Sequence, residues 1–146
     1  MNKIIILILI LSFQVNLYSA NHIVKMLNQG AEGVMIFEPS VLKINPGDSV
    51  TFKSVDAAHN SASIPAMIPK NAQPWNSELS RDITINFNIP GVYVYQCTPH
   101  VMMAMVGVIQ VGNDTSNLDA INAAATQLKS IFVMNQSRLD DYLSKI

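Results

Sequence analysis

The 146-residue chain has a single cysteine, Cys97, so no internal disulfide can form. Charge is scarce as well: only 13% of residues are charged, with 9 Lys/Arg against 10 Asp/Glu. That balance gives no basic stripe for nucleic acid and no strong field for an acidic partner. Glycine and proline are missing altogether from Asp114 to Ile146, which excludes a turn-rich sheet there. Acidic residues are absent from 95–105, around the cysteine, and no glycines flank Cys97 to form an oxyanion hole. What remains is a chain that is 49% apolar, enough to bury a core and too apolar to be disordered.

The only long apolar run is Ile4 to Leu11, after Met1-Asn2-Lys3 and before Leu17-Tyr18-Ser19-Ala20. It is too short to span a bilayer and has the three-part form of a secretory signal peptide. Residues 1–19 are expected to be removed, with cleavage after Ser19 or Ala20. Only Lys3 goes with them, leaving 8 Lys/Arg and 10 Asp/Glu, a net charge of −2. The mature chain then has no membrane segment. Export leaves a lone thiol open to oxidation, so Cys97 needs deep burial or a metal.

After the signal, period-two alternation broken by turn residues predicts strands at His22–Leu27, Gly33–Phe37, Val41–Ile44, Ser49–Val55, around Ile83–Phe87, at Val92–Cys97 and at Val106–Val111. Asn45-Pro46-Gly47-Asp48 and Pro90-Gly91 punctuate them. Seven or eight short strands predict an antiparallel sandwich or barrel. Residues 56–82 hold Pro65, Pro69 and Pro74 and read as a long loop with one short helix. Composition shifts at Gly112-Asn113. Ser116-Asn-Leu-Asp119 fits a capping box. Leu118, Ile121, Ala125 and Leu128 share one helical face; Ile131, Met134, Leu139, Tyr142 and Ile146 make a second. Two helices with a break near Lys129-Ser130 are expected, packed on the sandwich.

The chemistry concentrates in Tyr95-Gln-Cys97-Thr-Pro-His100-Val-Met102-Met103-Ala-Met105. Three histidines exist: His22, His59 and His100. His22 lies beside the cleavage site and reads as solvated. Two imidazoles, one thiolate and a distant thioether are the donor set of a type 1 copper site. A trigonal plane with a weak axial bond suits Cu(I) and Cu(II) alike, so little moves with the electron. Other readings stand beside it. A buried structural cysteine is common, zinc would want a fourth ligand that the cluster lacks, and a Cys–His nucleophilic pair is open in principle.

Beyond these residues, Pro46-Gly-Asp-Ser-Val-Thr-Phe52, His59-Asn60, Gly91-Val-Tyr-Val-Tyr-Gln-Cys97-Thr-Pro-His100 and Met105 resemble the cupredoxin family, and among cupredoxins the pseudoazurin branch. Met26-Leu-Asn-Gln-Gly-Ala-Glu-Gly33, Phe37-Glu-Pro39, Met67-Ile-Pro69 and Asn117-Leu-Asp119 resemble it too, so the likeness covers residues 20–146. It implies an all-β fold: an eight-stranded Greek-key sandwich over 20–113, with a two-helix extension over 114–146. It implies one copper, held by His59, Cys97 and His100 with Met105 as axial ligand, and single-electron shuttling in the bacterial periplasm rather than catalysis. Spacing alone permits Met103 as axial ligand; the resemblance favours Met105. It also gives Asn60 and Thr98 supporting roles beside the ligands.

Docking is expected at an apolar patch of Pro99, Val101, Met102 and Ala104 around His100, with Met35 nearby. The family usually rings this patch with lysines. Here Gln29, Ala57 and Gln96 stand instead. The implied partner is a redox protein, a c-type cytochrome or a copper nitrite reductase, met by a monomer. A copper carrier without redox work is the alternative function.

Overall fold

The structure, a computed structural model, describes residues 19–146. The expected signal peptide, Ser19 apart, lies outside the described residues. Eight strands run β1 (Asn21–Gly30), β2 (Gly33–Glu38), β3 (Val41–Ile44), β4 (Ser49–Ser54), β5 (Ala62–Ser63), β6 (Ile83–Asn86), β7 (Gly91–Gln96) and β8 (Val106–Val111). They form two four-stranded sheets, in the orders β2-β1-β4-β6 and β3-β8-β7-β5. The β1–β4 and β3–β8 pairs are parallel and the remaining pairs antiparallel. The β1–β2 and β7–β8 connections stay within a sheet, and each connection from β2 to β7 crosses to the other sheet, the Greek-key wiring of a sandwich.

Alternation fills the interior. Val24 and Met26 of β1, and Val50 and Phe52 of β4, turn inward, while Lys25 and Lys53 face solvent. From the other sheet Tyr93, Tyr95, Ile109 and Val111 meet them across a core that includes Phe37, Trp75, Phe87, Cys97 and Met105. Tyr95 stands edge-on to both Phe37 and Phe52, with ring centroids 4.7 and 4.9 Å away. Gly107 lies opposite Tyr95 in the β7–β8 ladder. A Cβ there would overlap the Tyr95 ring, so the missing side chain lets the tyrosine lie flat over β8.

β8 is buried along its whole length, because its outer face is covered as well. Val92, Val94, Val106 and Val108 pack there against Ile121, Ala125, Phe132, Leu139, Tyr142 and Leu143. Those residues belong to α1 (Leu118–Lys129), α2 (Arg138–Leu143) and the link between them. Each large apolar side chain sealed this way contributes about 1.5–3 kcal/mol. The helix break falls at Lys129-Ser130, as the pattern predicts.

Several expectations fail in detail. No side chain caps α1, so the Ser116–Asp119 capping box does not form. The Asn117 side chain instead bridges to β7, accepting from Val92 N–H at 3.0 Å and donating to Val92 O at 2.8 Å. The short β5 pairs only with Tyr95 and Gln96 and leaves Val92 open on that side, so the strand backbone took the amide from the helix end. The second helix is shorter than expected and starts at Arg138. Ile131 and Met134 lie outside it and are exposed, and Phe132 fills the buried place. The 56–82 loop holds, besides a 3₁₀ turn at Pro65–Met67, the short strand β5.

Candidate metal centre

Cys97 directly follows β7 and opens a 3₁₀ turn, Thr98–Met103. Pro99 fits the first turn, where its missing N–H costs nothing. The turn reverses at Ala104, which adopts the left-handed conformation (φ 57°). It closes where Cys97 N–H donates to Met105 O at 2.9 Å, and Met105 N–H donates to His100 O at 3.2 Å. One loop between adjacent strands thus fixes Cys97, His100 and Met105 together.

His59 comes from the β4–β5 loop. Its Nε2 bonds the Asn28 carboxamide oxygen at 2.9 Å. Nε2 therefore carries the proton and Nδ1 presents its lone pair to the site. That Nδ1 lies 3.6 Å from Cys97 Sγ and 3.1 Å from His100 Nδ1, and His100 Nδ1 lies 3.4 Å from Cys97 Sγ. The point equidistant from the three atoms is about 2.0 Å from each, the length of a first-row metal–imidazole bond. Among the described residues this is the single group of three or more His, Cys, Asp or Glu side chains that could hold a metal ion.

His59, Cys97 and Met105 are fully buried, and His100 is half-buried. Met105 shares the core cluster with Cys97. Met103 is half-buried, and Met102 is 53% exposed.

Residues 24–112 match the family model for copper binding proteins of the plastocyanin/azurin family. A provisionally named pseudoazurin of Rhizobium leguminosarum bv. viciae is 43% identical over 90% of this chain and 83% of its own length. The pseudoazurin of Paracoccus pantotrophus is 36% identical over 88% and 86%. The crystal structure of pseudoazurin from Methylobacterium extorquens AM1 superposes with a TM-score of 0.75 at 35% identity, over 86% of this chain and 98% of that one. The chain belongs to the plastocyanin/azurin family, in its pseudoazurin branch. It is a copper-binding electron carrier and not an enzyme.

The electrostatics of the site fit a metal. Burial pushes the Cys97 thiol pKa up, while the Asn60 and His100 backbone N–H groups pull it back. Burial lowers the His59 pKa, and the nearby His100 ring lowers it further against the opposing pull of Asp56. His59 is thus kept neutral, as a ligand must be. A cation between the donors turns the thiol into a thiolate outright. Asn60 supports both ligand loops, as expected: its Oδ1 accepts from Thr98 N–H at 2.7 Å and its Nδ2 donates to Thr98 Oγ1 at 3.1 Å.

The surface around His100 differs from expectation in two places. Pro99 and Met102 are exposed and Val101 half-exposed, but Ala104 is fully buried, because its left-handed turn points it into the second core. Val133, absent from the expected patch, is 66% exposed and donates its N–H to Met102 O at 2.8 Å. Gln29 and Ala57 are exposed and Gln96 half-buried. His22 is not simply solvated: it pairs with the buried Asp48 carboxylate at 2.9 Å, at the strand-start end of β1. Two contributors had no distinct signal in the sequence. Asn28 sits in a motif quoted above without a role, and Arg138 carries no motif that marks it.

Proposed function

We propose that His59, Cys97 and His100 are the strong copper ligands, that Met105 is the weak axial one, and that the protein shuttles single electrons between redox partners in the periplasm. The near-equilateral triangle of Nδ1, Nδ1 and Sγ carries this reading. Copper, when bound, supplies one-electron chemistry between Cu(I) and Cu(II). The residues supply rigidity. Cys97 and His100 are pinned by the closed turn, His59 by Asn28, and the two loops by Asn60. Little rearranges when charge changes, which keeps transfer fast.

His100 is the way in and out. Its half-exposed ring lies in a turn flanked by Pro99, Val101 and Met102, so a partner reaches the buried donors over its edge. An apolar rim of this size suits a small, transient contact that releases quickly. The full burial of Cys97 and Met105 favours retention of the metal over a carrier that hands it on. Residues 1–19 direct export, residues 114–146 extend the domain, and the protein acts as a monomer. A c-type cytochrome or a copper nitrite reductase fits as partner.

Gln29, Ala57 and Gln96 put no charge on this face. The test is stopped-flow oxidation of the reduced protein by a c-type cytochrome at increasing ionic strength. Transfer is expected, with a rate changing less than about threefold between low salt and about 0.5 M. No transfer to any redox partner, with copper lost rapidly to a modest chelator, would favour the carrier instead.

A further inference from the structure

Arg138, the first residue of α2, is only 7% exposed, and among the described residues it forms no ion pair. A buried guanidinium without a carboxylate is costly unless dipoles replace the water it lost. Here backbone carbonyls do so. Nη1 donates to Met35 O at 3.0 Å, Ala104 O at 3.2 Å and Met103 O at 3.5 Å; Nη2 donates to Val34 O at 3.2 Å. The contacts join three separate pieces of chain: α2, β2 and the metal-site loop. Met35 (φ 48°) and Ala104 (φ 57°) both adopt the left-handed conformation without being glycine, a strain that needs holding from outside.

The contact to Ala104 reaches the metal centre through one peptide plane. Ala104 O accepts from Arg138, while the N–H of the same peptide, on Met105, donates to His100 O at 3.2 Å. Met105 O, in the following peptide, accepts from Cys97 N–H at 2.9 Å, so the residue is fixed to both Cys97 and His100. A guanidinium on Ala104 O polarises that peptide and strengthens the bond its N–H makes to His100 O. We propose that Arg138 is a positioning residue for the copper centre: it sets the orientation of the Ala104–Met105 peptide, and hence the placement of Met105 against His100 and Cys97, while its buried charge favours the less positive copper state. This rests on the ligand assignment above. It gives the C-terminal extension a function in tuning the centre besides covering the outer sheet.

The experiment compares Arg138→Gln, Arg138→Lys and, as a charge control, Lys145→Ala on the half-exposed end of the extension. Three quantities are read: the reduction potential, the electron paramagnetic resonance spectrum of Cu(II), and the amide exchange rate of Met105 in metal-free protein. In R138Q the preference for Cu(I) over Cu(II) is expected to fall about tenfold, a drop of about 59 mV for one electron. R138K keeps the charge, but one ammonium cannot span four carbonyls. It should therefore hold more of the potential while its Cu(II) spectrum still changes. Met105 exchange should quicken at least about tenfold in both Arg138 variants, and Lys145→Ala should match the wild type throughout.

If R138Q does not fold, the spectrum and exchange rate of R138K decide. A loss of thermal stability with potential, spectrum and exchange all at wild-type values overturns the proposal. So does faster Met105 exchange with an unchanged Cu(II) spectrum, because the clamp would then not reach the metal. A wild-type protein that holds no copper sinks the ligand assignment itself, and the metal-free exchange data distinguish that failure from failure of the clamp.

Discussion

Asn60 and Thr98 are bonded to each other twice, through the Thr98 N–H at 2.7 Å and the Thr98 hydroxyl at 3.1 Å. They lie 38 residues apart in sequence, one beside His59 and the other beside Cys97. This pair joins the two loops that bring the imidazole of one to the sulfur of the other. Asn60 Nδ2 also reaches Asn76 Oδ1 at 3.0 Å, so the side chain gathers a third segment.

Replacing Asn60 with alanine should therefore act on stability and on the site at once. The loss of a buried amide that satisfies a backbone donor costs about 1–3 kcal/mol, to be read from denaturant midpoints of the metal-free protein. The holo protein should also lose copper faster to a chelator. Unchanged copper release with unchanged stability would mean that the loops are held by other contacts.

A second prediction concerns acid. The Ala20 N–H bonds the Asp48 carboxylate at 2.9 Å and is the largest cause of its lowered pKa; the His22 bond comes next, with Asn45 N–H adding to it and burial opposing. A folded pKa below the unfolded one adds stability that is complete above the ordinary aspartate range. That stability is lost as pH falls through the lower folded value. Unfolding followed from pH 6 downward should show wild type losing stability below about pH 4, more steeply than Asp48→Asn. Parallel pH profiles would show that the clasp contributes nothing on folding.

The axial position gives a third. Met105 is sealed in the core with Cys97, whereas Met103 is half-buried and its carbonyl accepts from Asn135 Nδ2 at 3.3 Å. Met105→Leu should keep the colour of the oxidised protein and raise its reduction potential, since exchanging the fourth donor for an apolar side chain costs the more highly charged Cu(II) more than Cu(I), for which three donors suffice. Met103→Leu should leave the potential near wild type. The reverse pattern in protein-film voltammetry would assign the axial role to Met103.

How much of this the sequence carried depends on the length scale of each cause. Cys97, His100 and Met105 occupy nine consecutive residues, so one turn places all three and their spacing is readable. Strands β3 and β8 match their expected limits because alternation and turn residues are local signals. His59 needs the fold to bring it near, and family resemblance rather than spacing pointed to it. Arg138 was illegible: its partners are backbone carbonyls 34 to 104 residues away, and carbonyls leave no mark in a sequence. Asn117 and Ala104 failed for the same reason. A long-range bond took the first from its helix cap, and a left-handed turn took the second from the surface.

The central claim is that His59, Cys97 and His100 hold copper as a one-electron centre. The most direct measurement is the visible spectrum of copper-loaded protein through a cycle of ascorbate and ferricyanide, beside Cys97→Ser. An intense blue thiolate-to-copper band should vanish on reduction, return on oxidation and be absent from the variant. A colourless oxidised protein, or a band that survives loss of the Cys97 sulfur, would contradict the account.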